Sequence, residues 1–443
     1  MKRWIVKLGF IISVFMSTQA LAITKIEINR GNVDPMPIAI PDFTGNNFQE
    51  KELGNNMAQV IANDLESSGL FRAIPPNAFI EYIKDGKNTV PNFASWRQVN
   101  ATALSIGAIE KNGNQIEVNF RLWDVYAGAQ IAGRSYNTVD SNWRRIAHMI
   151  ADEIYKRLTG EDGFFDSRIV YVAESGPGTK RIKRLAVMDY DGANHKFLTS
   201  GKNLVLTPRF SPAAHHILYM SYARKIPKVF IRDLETGRER LLGDFPGMSF
   251  APRFSPDGKS VIMSIARNGN TQIHTLELAT SQMKKLTEGN AINTSPCYTP
   301  DGQQIVFNSD RSGKPQLYIM SAWGGEAKRI SFGNGRYATP VVSPRGDLVA
   351  FTKWGDGSGQ FSIGVMRLDG SGERILARGY LVEGPTWSPN GRVIMYAKQE
   401  SPSGRQIAPA KIYAIDLTGY NEREIPTPAE GSDPAWSNLL SLN

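Results

Sequence analysis

A heptapeptide, Pro-Arg-Phe-Ser-Pro-Asp-Gly at residues 252–258, recurs in weaker form along the second half of the chain. The copies are PRFSP at 208–212, PCYTPDG at 296–302, PVVSPRG at 340–346, PTWSPNG at 385–391 and PAWS at 434–437. Successive leading prolines lie 44, 44, 44, 45 and 49 residues apart. A period of this length holds one supersecondary unit that buries its apolar face only by stacking on its neighbours, so the repeat points to a propeller or a solenoid. The copy beginning at Pro296 spells out the whole unit: PCYTPDG, QQIVFNS, DRSGKP, QLYIMSA, WGGE, AKRIS. That is four strands with three turns, which fits a propeller blade. The Asp-Gly pairs, including Asp189-Tyr190-Asp191-Gly192, read as turn residues suited to positive φ and to side-chain-to-backbone bonds. A calcium loop would need more alternating oxygen ligands and a closing glutamate.

The blade count depends on the two ends of the repeat region. Residues 168–173, 184–189 and 195–198 supply three strands with no Pro-led strand before them, and 434–440 supplies a Pro-led strand with nothing after it. Joined, they complete a sixth blade beside five continuous ones, and closing the ring leaves no open edge. The expected fold is therefore multidomain: a small α/β N-terminal domain followed by an all-β six-bladed propeller, closed by joining the C-terminal strand to the first blade.

A chain of 443 residues exceeds what one core fills, and the pattern before residue 161 is different. Residues 37–43 read as a strand, and 48–68 as an amphipathic helix on which Leu53, Met57, Val60, Ile61, Asp64 and Leu65 share a face, stopped by Gly69. A short strand at 71–74 precedes a Pro75-Pro76 break, after which Asn77 is placed to cap a brief helix through Ile83. Asn112-Gly113 marks a hairpin between 104–110 and 115–125, followed by a third strand at 130–139. Ser141 is placed to cap a helix to Thr159, with Trp143, Ile146, Ile150, Ile154 and Leu158 on one stripe and Gly160 as its stop. His148 lies off that stripe and reads as a surface or hydrogen-bonded histidine.

At the N-terminus, Lys2, Arg3 and Lys7 precede an apolar run at 8–16 and the small residues Ala20-Leu21-Ala22, the pattern of a cleavable secretory signal peptide. The run is too short to span a bilayer, which takes about 20 residues. The expected organisation is a signal peptide at 1–22, a mobile arm at 23–36, an α/β domain at 37–160, a linker at 161–167 and the propeller at 168–443. Loss of the leader lowers the formal charge from +9 to +6, spread without a dense basic block, so nucleic acid is a poor partner for this exported chain. Cys297 is the only cysteine; it excludes an intramolecular disulfide and reads as a structural strand residue.

Motifs for chemistry are missing. Residues 247–251, GMSFA, lack the last glycine of a nucleophile elbow, no phosphate loop or H-E-x-x-H occurs, and strand alternation would turn His215 and His216 to opposite faces. No catalytic, cofactor or metal residue is assigned. Propeller architecture directs attention instead to the residues just before each leading proline, which gather at one mouth of the central channel. These six segments, read as loops, are 204–207, 248–251, 292–295, 336–339, 381–384 and 430–433. They are mostly small, apolar or neutral, with Arg336, Glu383, Glu430 and Asp433 as the only charges, which suits contact with another chain more than acid–base chemistry.

The combination resembles the TolB family of the Tol-Pal envelope system. The resemblance is carried by the signal peptide, the run before PIAIPDF, the LESSGLFRAIP stretch, repeats such as FAPRFSPDGKSVIMS and NTSPCYTPDGQQIVFNSDRSGKPQLYIM, and the terminal DPAWS. It implies a soluble periplasmic binding protein, a monomer without catalytic activity, cofactor, nucleic acid or membrane span. The implied partners are the peptidoglycan-associated lipoprotein Pal at the channel mouth, the C-terminal domain of TolA at the N-terminal arm, and colicin-type toxins, and the implied roles are outer-membrane integrity and constriction during cell division. The mouth residues so indicated are Leu206, Met248, Ala251, Thr294, Arg336, Tyr337, Thr339, Glu383 and Glu430, with Met248 standing where other members carry a histidine. The arm residues are Ile23, Thr24, Lys25, Ile26, Glu27, Ile28, Asn29, Arg30, Gly31, Asn32 and Val33, a short amphipathic run suited to strand addition on a partner. Two other classes stay open on residues alone: a glycan- or peptidoglycan-binding propeller using Phe250, Tyr337 and Tyr380, and a hydrolase working in the channel.

Overall fold

The computed structural model describes residues 34–177, 180–224, 226–402 and 408–440; the leader at 1–22 and the arm through Val33 lie outside the described residues. Near the N-terminus, β1 (Met36–Ala39), β2 (Phe71–Ala73), β3 (Ala103–Asn112), β4 (Gln115–Asp124) and β5 (Ala129–Val139) form a sheet in the order β2-β1-β3-β4-β5. β1 runs parallel to both of its neighbours and the remaining pairs are antiparallel. Three helices accompany it: α1 (Phe48–Ser67), α2 (Phe93–Gln98) and α3 (Trp143–Thr159). Met57, Ile61 and Leu65 of α1 and Ile150 and Ile154 of α3 share a core with Ile116, Val118, Phe120 and Leu122, alternate residues of β4, as a period of two requires of a strand with one covered face. Trp96 of α2 fills a second cluster with Leu104, Ile106 and Trp123.

Several local expectations change. Residues 77–83 hold no helix, only a 3-10 turn at Pro76–Ala78; so short a segment gains too few hydrogen bonds to offset nucleation. Instead Asn92, whose side chain accepts from the Ala94 N–H (3.3 Å), caps the unanticipated α2. Ser141 does not cap α3. A 3-10 turn covers Asp140–Asn142, and Asn142 occupies the cap position without a side-chain bond. In the hairpin, Asn112 pairs with Gln115, so the turn residues are Gly113 and Asn114, with Gly113 at φ +62°, the first central position where a type II′ turn takes glycine.

From Arg168 onward the described chain forms six four-stranded sheets, the blades of a propeller. Their inner strands are Val205–Phe210, Met248–Phe254, Asn293–Tyr298, Arg336–Val342, Leu381–Trp387 and Glu430–Trp436, numbered here as blades 1 to 6. Blade 6 is the split one: Glu430–Trp436 pairs antiparallel with Arg168–Ser175, which is followed by Ile182–Asp189 and Lys196–Phe197. The Ser-Pro-Asp-Gly turn is a self-contained hydrogen-bond device. In blade 2 the Ser255 hydroxyl donates to Asp257 (2.6 Å) and accepts from the Ser260 N–H (2.9 Å), while Gly258 N–H reaches the Ser255 carbonyl (2.9 Å). Thr299 with Asp301 and Ser388 with Asn390 repeat the arrangement in blades 3 and 5. These turns sit at the far end of each inner strand, away from the mouth.

The turn face carries the α/β domain. Phe164 and Phe165 are fully buried against Tyr155 of α3 and Tyr190 of blade 6, and Phe164 packs edge-on against Trp436 (5.8 Å). At the centre, Asp64 of α1 accepts from the Tyr190 hydroxyl (2.6 Å) and bonds His148 Nδ1 (2.7 Å). His148 is therefore a buried, hydrogen-bonded histidine whose carboxylate partner comes from another helix, because helix–helix packing brings α1 to α3. Asp191, read as a turn residue, is also an interdomain ligand of Arg144. Asp64, His148 and Asp191 lie within 4.8 Å of one another, but Tyr190, His148 and Arg144 already engage their carboxylates, so the group works as a latch between the two parts.

Candidate functional site at the channel mouth

Proline cannot donate to a strand ladder, and each inner strand contains a Xaa-Pro step near its middle, with the proline at its fourth or fifth residue. In all six blades the register shifts at that step: between Phe250 and Arg253, Thr294 and Cys297, Ala338 and Val341, Glu383 and Thr386, Ser432 and Ala435, with the matching shift in blade 1 on the partner strand between Leu218 and Met220. The residue before each proline lies in the left-handed region: Thr207 (φ +49°), Ala251 (+49°), Ser295 (+53°), Thr339 (+47°), Gly384 (+66°) and Asp433 (+50°). Only blade 5 supplies a glycine, so five residues with side chains hold a conformation that costs about 1–2 kcal/mol each. Strain of this kind persists where the surroundings impose it and concentrates at binding surfaces. The six segments read as loops are thus bulged strand segments, and their backbone is fixed.

The structure separates the indicated mouth residues. Met248 is 42% exposed. Leu206, Glu383 and Glu430 line one cavity of about 1150 Å³. Arg336 is exposed, whereas Ala251 and Thr294 are half-buried; the Thr294 hydroxyl is spent on Asn308, and Thr339 Oγ1 meets Thr352 Oγ1 (2.8 Å). Tyr337 is not at the surface. It is fully buried against Phe351, with its hydroxyl donating to Glu373 (2.8 Å).

The cavity also contains charges that lie far from any leading proline. Glu174, Arg181 and Lys183 of blade 6 and Lys398 of blade 5 line it together with Asp433. Glu174 bonds Lys183 Nζ (2.8 Å), and Arg181 Nη1 donates to Glu430 Oε1 (2.9 Å) while its Nε reaches Glu174 (3.5 Å). Sequence proximity could not reveal these residues; the register does, since Glu174 stands opposite both Glu430 and Lys183. Glu383 has no such partner among the described residues. Although its side chain faces the cavity, burial by the channel wall, with the Asp433 carboxylate second, raises it above the usual carboxylate range against the pull of Lys183.

The fold and site define a six-bladed β-propeller with an open, charge-lined channel mouth, carried on an N-terminal α/β domain. A family model described as the TolB beta propeller domain matches residues 155–440, and one described as the TolB amino-terminal domain matches 24–131. The Tol-Pal system protein TolB of Paramagnetospirillum magneticum is 58% identical over 435 residues, 97% of this chain and 96% of the relative. Its namesake from Rickettsia bellii is 53% identical over 440 residues, 98% and 99% of the two chains. The crystal structure of TolB from Acinetobacter baumannii superposes with a TM-score of 0.78 at 28% identity, over 94% of this chain and 99% of that one. The chain belongs to the TolB family and is a Tol-Pal system protein.

Proposed function

We propose that this protein is a non-enzymatic periplasmic hub that binds the lipoprotein Pal at the channel mouth and the C-terminal domain of TolA through the arm at 23–33. In this role it supports outer-membrane integrity and constriction during division, and colicin-type toxins would exploit the same surfaces. The observation that carries the reading is the mouth itself: a cavity of about 1150 Å³ with an apolar rim at Leu206 and Leu381 and charges mostly neutralised in pairs. A rigid bulged backbone around such a cavity favours a preformed docking surface over a catalytic centre. A glycan site is less well supported, since burial removes Tyr337 from the three candidate aromatics.

The arm supports a switch. The chain passes from it into β1, which lies between β2 and β3 rather than at an edge. A pull on the arm therefore acts on the interior of a sheet that is latched to the propeller through Asp64 and Tyr190. Occupancy of the mouth and release of the arm would then be reciprocally coupled. Calorimetry with Pal and with the TolA domain tests this. Deleting residues 23–33 is expected to abolish TolA binding and spare Pal, whereas Glu383→Lys with Glu430→Lys is expected to weaken Pal and spare TolA. Unchanged TolA affinity in the deletion would end the reading.

A further inference from the structure

Two residues past the strained positions, the residues after each leading proline form a second ring: Arg209, Arg253, Cys297, Val341, Thr386 and Ala435, equivalent by their register on the second strands. Two of them are arginines on adjacent blades, and none is acidic. Both arginines line a cavity of about 410 Å³ whose wall draws on all six blades and whose rim includes the turn prolines Pro212, Pro256, Pro300 and Pro344. It opens at the turn end of the channel and shares no lining residue with the mouth cavity.

Several enclosed cations of the propeller meet a carboxylate, as Lys183 does Glu174, Lys353 does Glu373 and Arg392 does Asp416, while Arg423 of blade 5 has no ion pair among the described residues and reaches only the Asn421 carbonyl. Arg209 and Arg253 form no ion pair among the described residues. The guanidinium of Arg209 donates to the Pro208 carbonyl (2.6 Å), and that of Arg253 has no hydrogen bond among the described residues. Asp433, the acid whose charge reaches Arg209, is drawn toward the mouth by the Thr207 N–H (3.2 Å). Burial, and then the second guanidinium, push Arg209 down to about 9. Two like charges lining one cavity whose wall carries no carboxylate repel each other, and an anion between them would relieve the repulsion.

We infer that the turn end of the channel binds a small oxyanion, a phosphate or a carboxylate, between Arg209 and Arg253, beside the Thr386 hydroxyl. A guanidinium presents paired N–H donors in a plane that matches two oxygens of such a group. The site borders the interdomain junction: Asn438 on its wall bonds the Pro212 carbonyl (2.9 Å), and Leu440, two residues on, accepts from Arg145 of α3 (3.3 Å). An anion here would therefore brace the face on which the α/β domain sits.

The test compares melting of the purified chain in sodium chloride and in sodium phosphate at matched ionic strength. Calorimetry with inorganic phosphate and with trialanine, its carboxyl end free or amidated, accompanies it. Phosphate is expected to raise the melting temperature by mass action, and Arg253→Gln to bind phosphate at least about tenfold more weakly. Because that substitution also removes the repulsion, Arg253→Gln is expected to melt above the parent in chloride and below it in phosphate. A purely structural arginine would not invert the order with the salt. Arg253→Lys keeps the charge without the fork, so it should fold and bind phosphate more weakly than the parent. Binding of free but not amidated trialanine identifies a carboxylate ligand, and binding of phosphate alone a phosphate. Equal melting in both salts with no calorimetric binding of any probe, or an unchanged order of parent and Arg253→Gln, overturns the inference.

Discussion

The six inner strands start at a mouth and end at a ring of turns, and the two ends are built on opposite principles. At the turns one set of hydrogen bonds recurs from blade to blade, and glycines fill the left-handed position in blades 2 to 5, where Gly258, Gly302, Gly346 and Gly391 have φ of +67° to +74°, with Ala214 (φ +59°) in their place in blade 1. At the mouth the left-handed position recurs just as regularly, but only Gly384 is a glycine. Regular chemistry thus holds the ring together at one end, while the other keeps strained backbone and unrepeated side chains. The charges follow the same division. Most acids at the mouth lie beside bases, whereas Arg209 and Arg253, which line the turn-end cavity, form no ion pair among the described residues.

The comparison can be broken most severely by opening the ring. Removing residues 430–443 exposes the edge of Arg168–Ser175 and strips Trp436 from the core it shares with Phe164. Loss of cooperative unfolding by circular dichroism and aggregation in size-exclusion chromatography are expected; a truncated chain that melts like the parent would show that the sixth blade does not need closure. Next in size, Asp64→Ala on the turn face leaves the Tyr190 hydroxyl and His148 without their buried partner. Breaking such a pair costs about 3–5 kcal/mol, measurable by urea denaturation, whereas Glu383→Gln at the mouth is expected to stay within about 0.5 kcal/mol of the parent.

A third test uses pH. Burial alone would push His148 down, but the Asp64 carboxylate, its hydrogen bond, and more distantly Asp191 and Asp189 lift it to about 9. Arg144 and Tyr190 also face this group. Burial lifts Asp152 to about 7 in spite of N–H bonds from Phe165 and Asp166. Both groups hold their proton more tightly folded than unfolded, so the stability each contributes is full below its unfolded pKa and disappears as the pH rises through the folded value. For Asp152 that window runs from 3.8 to about 7, and for His148 from 6.5 to about 9. The contribution of these two groups to the melting temperature is expected to fall from about pH 4 to about pH 9, and His148→Gln to flatten the alkaline part of the fall. The smallest effect isolates backbone strain. Space around Gly384 is open, so Gly384→Ala adds a methyl without a clash and is expected to cost about 1 kcal/mol, while Ala251→Gly gains a similar amount. Equal melting temperatures would show that the pre-proline ring is relaxed.

The repeat made most of this fold legible, because prolines every 44 or 45 residues and the split final unit leave few alternatives to six blades. α1 and α3 were legible from apolar spacing, whereas α2 was not: its six residues are too few to show a period. The mouth was located in sequence by the prolines, but Tyr337 was misread. Strand alternation next to a bulge cannot say which neighbour turns inward, and Arg336 rather than Tyr337 reaches solvent. Glu174 and Lys183 were out of reach because cross-strand register, not chain position, brings them to the mouth, and Arg181 accompanies them as the residue just before the strand Ile182–Asp189. The same holds for Asp64, whose place on an apolar stripe looked like an exception until α3 and Tyr190 supplied its partners.

The seam in blade 6 bears on how the protein comes into being. The Arg168 N–H is held by Ser437 Oγ, 269 residues further on. A chain made and threaded N-terminus first presents Arg168–Ser175 early, yet the neighbour that covers it arrives almost last. Contacts of such long sequence separation form slowly, and an uncovered strand in the interval invites pairing with other chains. The propeller can therefore register its ring only once Glu430–Trp436 has been delivered. A chain that stalls or is clipped before Glu430 is left with Arg168–Ser175 as an open edge.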